Sequence, residues 1–178
     1  MTTQKKYMVL TAVGADRQGL VERISTLIHQ GGANLEDSRM AILGGEFALV
    51  LLFSGSADAV SHVMQGQAAL ERELGLVVTI KETTAQKSGA DYLGYQLKIG
   101  GLDRPGIVAH ISALLSRLHV NVAALDSQLS YAPLSGTPMF QLRARLQVPS
   151  SLALPMLRSE ISQLCEEENL DFEITFAD

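Results

Sequence analysis

Gly14-Ala15-Asp16-Arg17-Gln18-Gly19-Leu20-Val21 returns 87 positions later as Gly101-Leu102-Asp103-Arg104-Pro105-Gly106-Ile107-Val108. The likeness continues through Ile24/Ile111, Ser25/Ser112 and Leu27/Leu114, and reaches Asn34/Asn121. Over positions 14–28, eight of fifteen residues are identical at this offset. Chance does not readily give that, so the chain of 178 residues reads as two copies of one unit.

Working outward from the first copy, residues 7–13 form a short β-rich run and are expected to be a strand. Leu20, Val21, Ile24, Leu27 and Ile28 recur at the spacing of a helix with one apolar face. Gly31-Gly32 ends that helix. Two strands, 34–43 and 46–53, flank Gly44-Gly45, a two-residue link that reads as a hairpin turn. Ser56 or Asp58 can cap a second helix running to about Leu74, and 76–81 is a last strand. The order is β-α-β-β-α-β.

The second copy repeats the order: strand 95–100, helix 105–118, strands 121–130 and 137–147, helix 151–168 and strand 171–176. Its hairpin is the longer Tyr131-Ala132-Pro133-Leu134-Ser135-Gly136. Residues 83–91 are polar, contain a glycine and lack periodicity. The expected organisation is therefore unit one at 5–83, a linker at 84–91 and unit two at 92–178. Each unit is the split-βαβ, ferredoxin-like motif, an α+β fold. One such unit leaves a sheet edge and a sheet face uncovered, and two can pair edge to edge or back to back.

Hydrophobic residues make up 47% of the chain and charged residues 19%, an ordinary globular balance. No apolar run reaches the roughly 18 residues needed to span a bilayer. The stretch after Lys5-Lys6 is too short and wrongly followed for a signal peptide, so a cytoplasmic location is expected. The single Cys165 excludes an internal disulfide framework and a cysteine-based metal cluster. Net charge is −5, with no basic cluster beyond Lys5-Lys6. That balance argues against direct binding of nucleic acid, which needs a positive surface to neutralise phosphates.

The chain resembles a tandem pair of ACT domains. The likeness rests on Asp-Arg-(Gln/Pro)-Gly at the end of each first strand, the apolar helix that follows, and Asn34 or Asn121 opening the second strand. It covers both halves. The first half, through Ala12-Val13-Gly14-Ala15-Asp16-Arg17, Asn34-Leu35-Glu36-Asp37-Ser38-Arg39-Met40-Ala41, Leu43-Gly44 and Glu46-Phe47, is similar to the family of glycine cleavage system transcriptional repressors. Gln18 replaces the proline usual in the motif. The resemblance implies antiparallel sheets with helices on one face and no DNA-binding domain. It also implies action by holding a partner transcriptional activator, with glycine or another small amino acid as effector. No cofactor is implied. The other function the fold admits is a detached regulatory subunit of an amino-acid or one-carbon enzyme. No catalytic constellation appears, so an enzyme is not expected.

A helix N-terminus exposes unpaired N–H groups and partial positive charge, which suits a carboxylate. The turn before each first helix is thus a candidate site. Its residues are Asp16, Arg17, Gly19 and Leu20 in the first unit, and Asp103, Arg104, Gly106 and Ile107 in the second. In ligand-binding ACT domains the matching turn meets the second strand of a neighbouring unit, which adds Asn34, Leu35, Asn121 and Val122. Asp16 or Asp103 would face an ammonium group, and the asparagines would orient the ligand. The competing reading is structural. Asp before a helix is a preferred N-cap, and Gly19 can serve helix-on-sheet packing. The resemblance favours the first unit. Whether sheets pair within a chain or between chains stays open, as does assembly of copies through sheet edges or faces.

Several lookalikes fall away. Gly44-Gly45-Glu46-Phe47 is similar to a diguanylate cyclase signature but lacks an acidic residue and a metal-binding aspartate in the first strand, and reads as a hairpin turn. The Gly14 to Gly19 spacing suits a phosphate loop, but Leu20-Val21 stand where Lys and Ser/Thr are required. His29, His62, His110 and His119 make no metal-type spacing and read as solvated or packing residues. Cys165 reads as a buried thiol. Glu166-Glu167-Glu168 reads as a solvated helix end, or else as an acidic contact for a basic partner.

Overall fold

The structure is a computed structural model and describes residues 5–84 and 91–177. In the first unit β1 (Lys6–Ala15) leads into α1 (Leu20–Gln30), then β2 (Asn34–Leu43), β3 (Glu46–Gly55), α2 (Ala57–Leu74) and β4 (Val77–Thr83). The second unit has β5 (Tyr92–Leu102), α3 (Ile107–Arg117), β6 (Asn121–Tyr131), β7 (Pro138–Pro149), α4 (Leu154–Glu168) and β8 (Leu170–Phe176). The element order is the one the repeat implies.

Each unit builds one four-stranded sheet, in the order β2-β3-β1-β4 and β6-β7-β5-β8. Every neighbouring pair is antiparallel. The fold is α+β, with two ferredoxin-like units. Alternation along the central strands explains the layering. Met8, Leu10 and Ala12 of β1 and Phe47, Leu49, Leu51 and Phe53 of β3 are buried with Leu20, Ile24 and Ile28 of α1 and Val60, Val63 and Leu70 of α2. Each fully buried Leu, Ile or Phe is worth about 1.5–3 kcal/mol of transfer free energy. The second core repeats the pattern with Leu97, Ile99, Ile107, Ile111, Leu142, Leu146, Leu157 and Ile161. The helices therefore cover one face of each sheet and leave the other open. By their contacts the chain divides into two compact units, Met1–Lys87 and Ser88–Asp178. The expected linker falls mostly outside the described residues.

Two helix starts differ from the periodicity. Helix α3 starts at Ile107 and not at Pro105, because Gly106 is left-handed at φ 96°. Helix α4 starts at Leu154, after a turn at 150–152, with a proline in its first turn. Of the two candidate caps for α2, Ser56 is the one used: its side chain accepts the Ala59 N–H at 3.2 Å. Among the described residues no helix is long and apolar enough to cross a membrane.

Candidate functional site

The two turns that precede α1 and α3 are built alike. Gly14 and Gly101 let the sheet close tightly beneath them. A Cβ on Gly14 would stand 2.8 Å from Leu76 Cδ2 and 3.0 Å from the Gly75 carbonyl, and one on Gly101 2.7 Å from Leu170 Cδ2 and 3.0 Å from the Asn169 carbonyl. The chain then turns out of the sheet. The Asp16 N–H donates to the Gly45 carbonyl at 3.0 Å, and the Asp103 N–H donates to the Pro138 carbonyl at the same distance.

Each turn ends in a left-handed glycine, Gly19 at φ 89° or Gly106 at φ 96°. These are the N-cap residues of α1 and α3, and neither helix has a side-chain cap. A Cβ on Gly19 would meet nothing within 4 Å, so its glycine serves backbone conformation and not helix-on-sheet packing. Asp16 is likewise not the N-cap. Both aspartates are exposed, and among the described residues their side chains make no hydrogen bond or ion pair. The first-turn N–H groups of two 11-residue helices thus lack a capping acceptor beside an exposed carboxylate. Leu20 and Ile107 are buried at 2% exposure, so each can offer a ligand only its N–H.

Arg17 points elsewhere. Its guanidinium donates to the Glu73 carbonyl at 2.6 Å, at the C-terminal end of α2. Arg23 grips the Glu73 carboxylate with Nε at 2.8 Å and Nη2 at 2.6 Å, which holds that carboxyl below the usual carboxylate range. In the second unit His110 Nδ1 lies 2.7 Å from Glu168 Oε1. A Cβ on Gly106 would stand 3.4 Å from the His110 ring, so the imidazole flanks the α3 turn. The histidine taken from sequence as solvated or packing is therefore a neighbour of the candidate site. The signal was its alignment with Arg23 at the repeat offset. Glu166 and Glu167 are bonded along α4 to Ser162 at 3.0 Å and Gln163 at 3.1 Å.

The strand half of the site lies far from the turn half. Asn34 pairs with Ser54, which pairs with Tyr7, whereas Ala15 pairs with Glu46 at the hairpin end. Eight residues at about 3.3 Å each separate Tyr7 from Ala15, about 26 Å. Asn121 sits likewise across from Gln147 and Gly94, at the other end of β5 from Leu102. Neither unit therefore joins its own turn to its own asparagine. Leu35 is 41% exposed and Val122 half-buried.

Asn34 is also engaged locally. Its amide donates to Glu36 at 3.3 Å. Glu36 further accepts from Lys5 at 2.7 Å and from the fully buried Ser54 hydroxyl. The hydrogen bonds from Lys5, Ser54 and Asn34 pull its carboxyl down to about 2. Glu36 occupies a β-bulge between Leu35 and Asp37, and Ala123 occupies the matching bulge between Val122 and Ala124. Asn121 donates to Gln147 at 2.6 Å.

Comparison with known proteins gives the same architecture. Residues 6–81 match the family model of the ACT domain. The chain is 30% identical over 167 residues to the glycine cleavage system transcriptional repressors of Escherichia coli and of Shigella flexneri, spanning 94% of this chain and 88% of each of those. Among solved structures, an uncharacterised protein from Galdieria sulphuraria superposes with TM-score 0.85 at 29% identity, covering 98% of this chain and all of that one. A structure provisionally assigned as a glycine cleavage system transcriptional repressor superposes with TM-score 0.73 at 25% identity, covering 98% of both chains. These likenesses support a regulatory role, and the chain belongs to the ACT-domain family of the glycine cleavage system transcriptional repressors.

Proposed function

We propose that the chain is a non-catalytic, amino-acid-sensing repressor of glycine cleavage genes. It acts by holding a partner transcriptional activator, and glycine is its effector. The observation that carries this reading is the likeness to a curated repressor across 94% of the chain. The net charge of −5 fits action through a protein and not through a grip on DNA. What supports the ligand site is the pair of uncapped helix N-termini, each beside an exposed aspartate.

In this proposal the glycine carboxylate faces the N–H groups of residues 17–20 or 104–107. Its ammonium faces Asp16 or Asp103. Asn34 and Asn121, at the far ends of their own sheets, serve only a site completed from another unit. The ligand shifts the protein between arrangements by its differential affinity for them, and so changes the partner surface. The test is capture of cellular proteins on the immobilised chain with and without glycine. Retention of an activator in an amount that changes with glycine is expected. Retention of an enzyme alone, or an eluate indifferent to glycine, would contradict the proposal.

A further inference from the structure

The acidic run Glu166-Glu167-Glu168 closes α4, at the helix end where the backbone already places partial negative charge. The last turn of α4 holds no basic residue. Glu166 accepts from Ser162 at 3.0 Å, Glu167 accepts from Gln163 at 3.1 Å, and Glu168 meets the His110 imidazole at 2.7 Å. None of the three meets an arginine or lysine among the described residues. The same helix end in the first unit is answered by cations. Arg72 lies in the last turn of α2, Arg23 grips the Glu73 carboxylate and Arg17 donates to the Glu73 carbonyl. The fold thus supplies cations to one of these helix ends and leaves the other negative.

Beside the negative end a groove of about 410 Å³ runs between α3 and α4. Ala113, the buried Leu114 and the half-buried Leu164 are its apolar lining. Arg117 and Glu160 pair across one end at 3.2 Å, and His110 and Glu168 across the other at 2.7 Å. The seven-residue step from His110 to Arg117 makes the groove about 10 Å long. The first unit closes the matching space. Counted back from the C-caps Gly75 and Asn169, Gly66 of α2 stands where α4 has Glu160. Leu27, the counterpart of Leu114, lies against Gly66 where a side chain would otherwise stand. With glutamate in place of that glycine, Leu114 lines an open groove instead of packing on the opposite helix.

The charges of the groove say what fits it. Arg117 is set against Glu160, which leaves Glu167 and Glu168 with one imidazole. The excess is negative whatever the charge on that ring, and Glu166 adjoins it. We infer that the groove docks a basic segment of a protein partner, with an apolar side chain against Leu114 and Leu164 and a lysine or arginine beside Glu167 at the negative end of α4. A second copy of this chain is a poor occupant, since it carries a net charge of −5 and its basic residues adjoin one another only at Lys5-Lys6. The inference rests on the reading that the chain holds a partner protein, and it names the surface that does so.

The test uses acetyl-Leu-Arg-amide as probe, titrated into the full 15N-labelled chain and followed by amide NMR, with the neutral acetyl-Leu-Gln-amide as control. Saturable shifts confined to residues 110–117 and 160–168 are expected, with a dissociation constant on the order of 1 mM. The neutral dipeptide should bind at least threefold more weakly. Glu167→Lys should weaken the arginine probe to the same degree, and Ala113→Phe, which fills the groove from an exposed position, should abolish its binding; unchanged spectra elsewhere control for folding. No saturable shift, shifts only outside the groove, or equal binding of the two dipeptides would each overturn the inference. The second arm repeats capture of the activator on immobilised wild type and Ala113→Phe. Loss of the activator from the variant is expected. Equal retention would overturn the groove and leave the partner reading intact, whereas no activator on the wild type would overturn the partner reading itself.

Discussion

His110 of α3 reaches Glu168 of α4 at 2.7 Å, and at the same repeat position Arg23 of α1 reaches Glu73 of α2 at 2.6 Å. Both units thus tie the first turns of one helix to the C-terminal end of the other, by different chemistry. Both ties are exposed, with Arg23 at 43% and His110 at 55%, so they orient the turn more than they stabilise the fold. In the first unit Arg17 adds a bond to the same helix end, whereas Arg104 makes none among the described residues.

Gly14→Ala and Gly101→Ala should each destabilise the unit that carries the change by about 1–3 kcal/mol, because the new methyl meets backbone carbonyl as well as a leucine. Gly19→Ala should cost about 1–2 kcal/mol through its left-handed backbone alone, since the space around it is open. Urea denaturation measures both. A neutral Gly14→Ala would contradict the close approach of β1 to the start of β4.

The repeat and the apolar periodicities place all eight strands and four helices, because each unit buries one face and the alternation survives in β1, β3, β5 and β7. What the periodicity hides has physical reasons. β2 is an edge strand exposed along its whole length, so no burial pattern marks the bulge at Glu36. The separation of Asp16 from Asn34 follows from strand order, which local pattern does not encode. The contact of His110 with Glu168 joins residues 58 positions apart, and histidine gives no helical signature of such a partner. That the helix-free face of the first sheet carries Val9, Val13, Val50 and Leu52, and that of the second Lys98, Arg143 and Arg145, emerges only once the pairing register assigns each residue to a side.

Glu36 should titrate near 2, well below an ordinary carboxyl, when followed through its side-chain carbon by NMR. Its folded value is depressed, so its contribution to stability is present above the unfolded value of about 4.5 and is lost as pH falls toward about 2. Lys5→Ala and Ser54→Ala should each move the midpoint up. A midpoint near 4.5 in the wild type would show that the network with Lys5, Ser54 and Asn34 does not form.

Cys165 should resist alkylation in the native protein. The thiol is 2% exposed, and burial, aided by the nearby Asp171 carboxylate, pushes it up to about 11. At pH 8 only a small fraction is thiolate, the reactive form. Labelling by a maleimide should be slow in buffer and complete in denaturant. Rapid native labelling would mean that α4 opens away from its sheet.

The central claim, that the turn before α1 binds an amino-acid effector, is tested most directly by calorimetric titration of glycine into the full chain and into Asp16→Ala. Asp16 is exposed and caps nothing, so the variant should melt as the wild type does. The account predicts saturable binding of glycine by the wild type and at least tenfold weaker binding by Asp16→Ala. Equal affinity in both would place the site elsewhere, and no saturable heat in the wild type would contradict glycine as the effector.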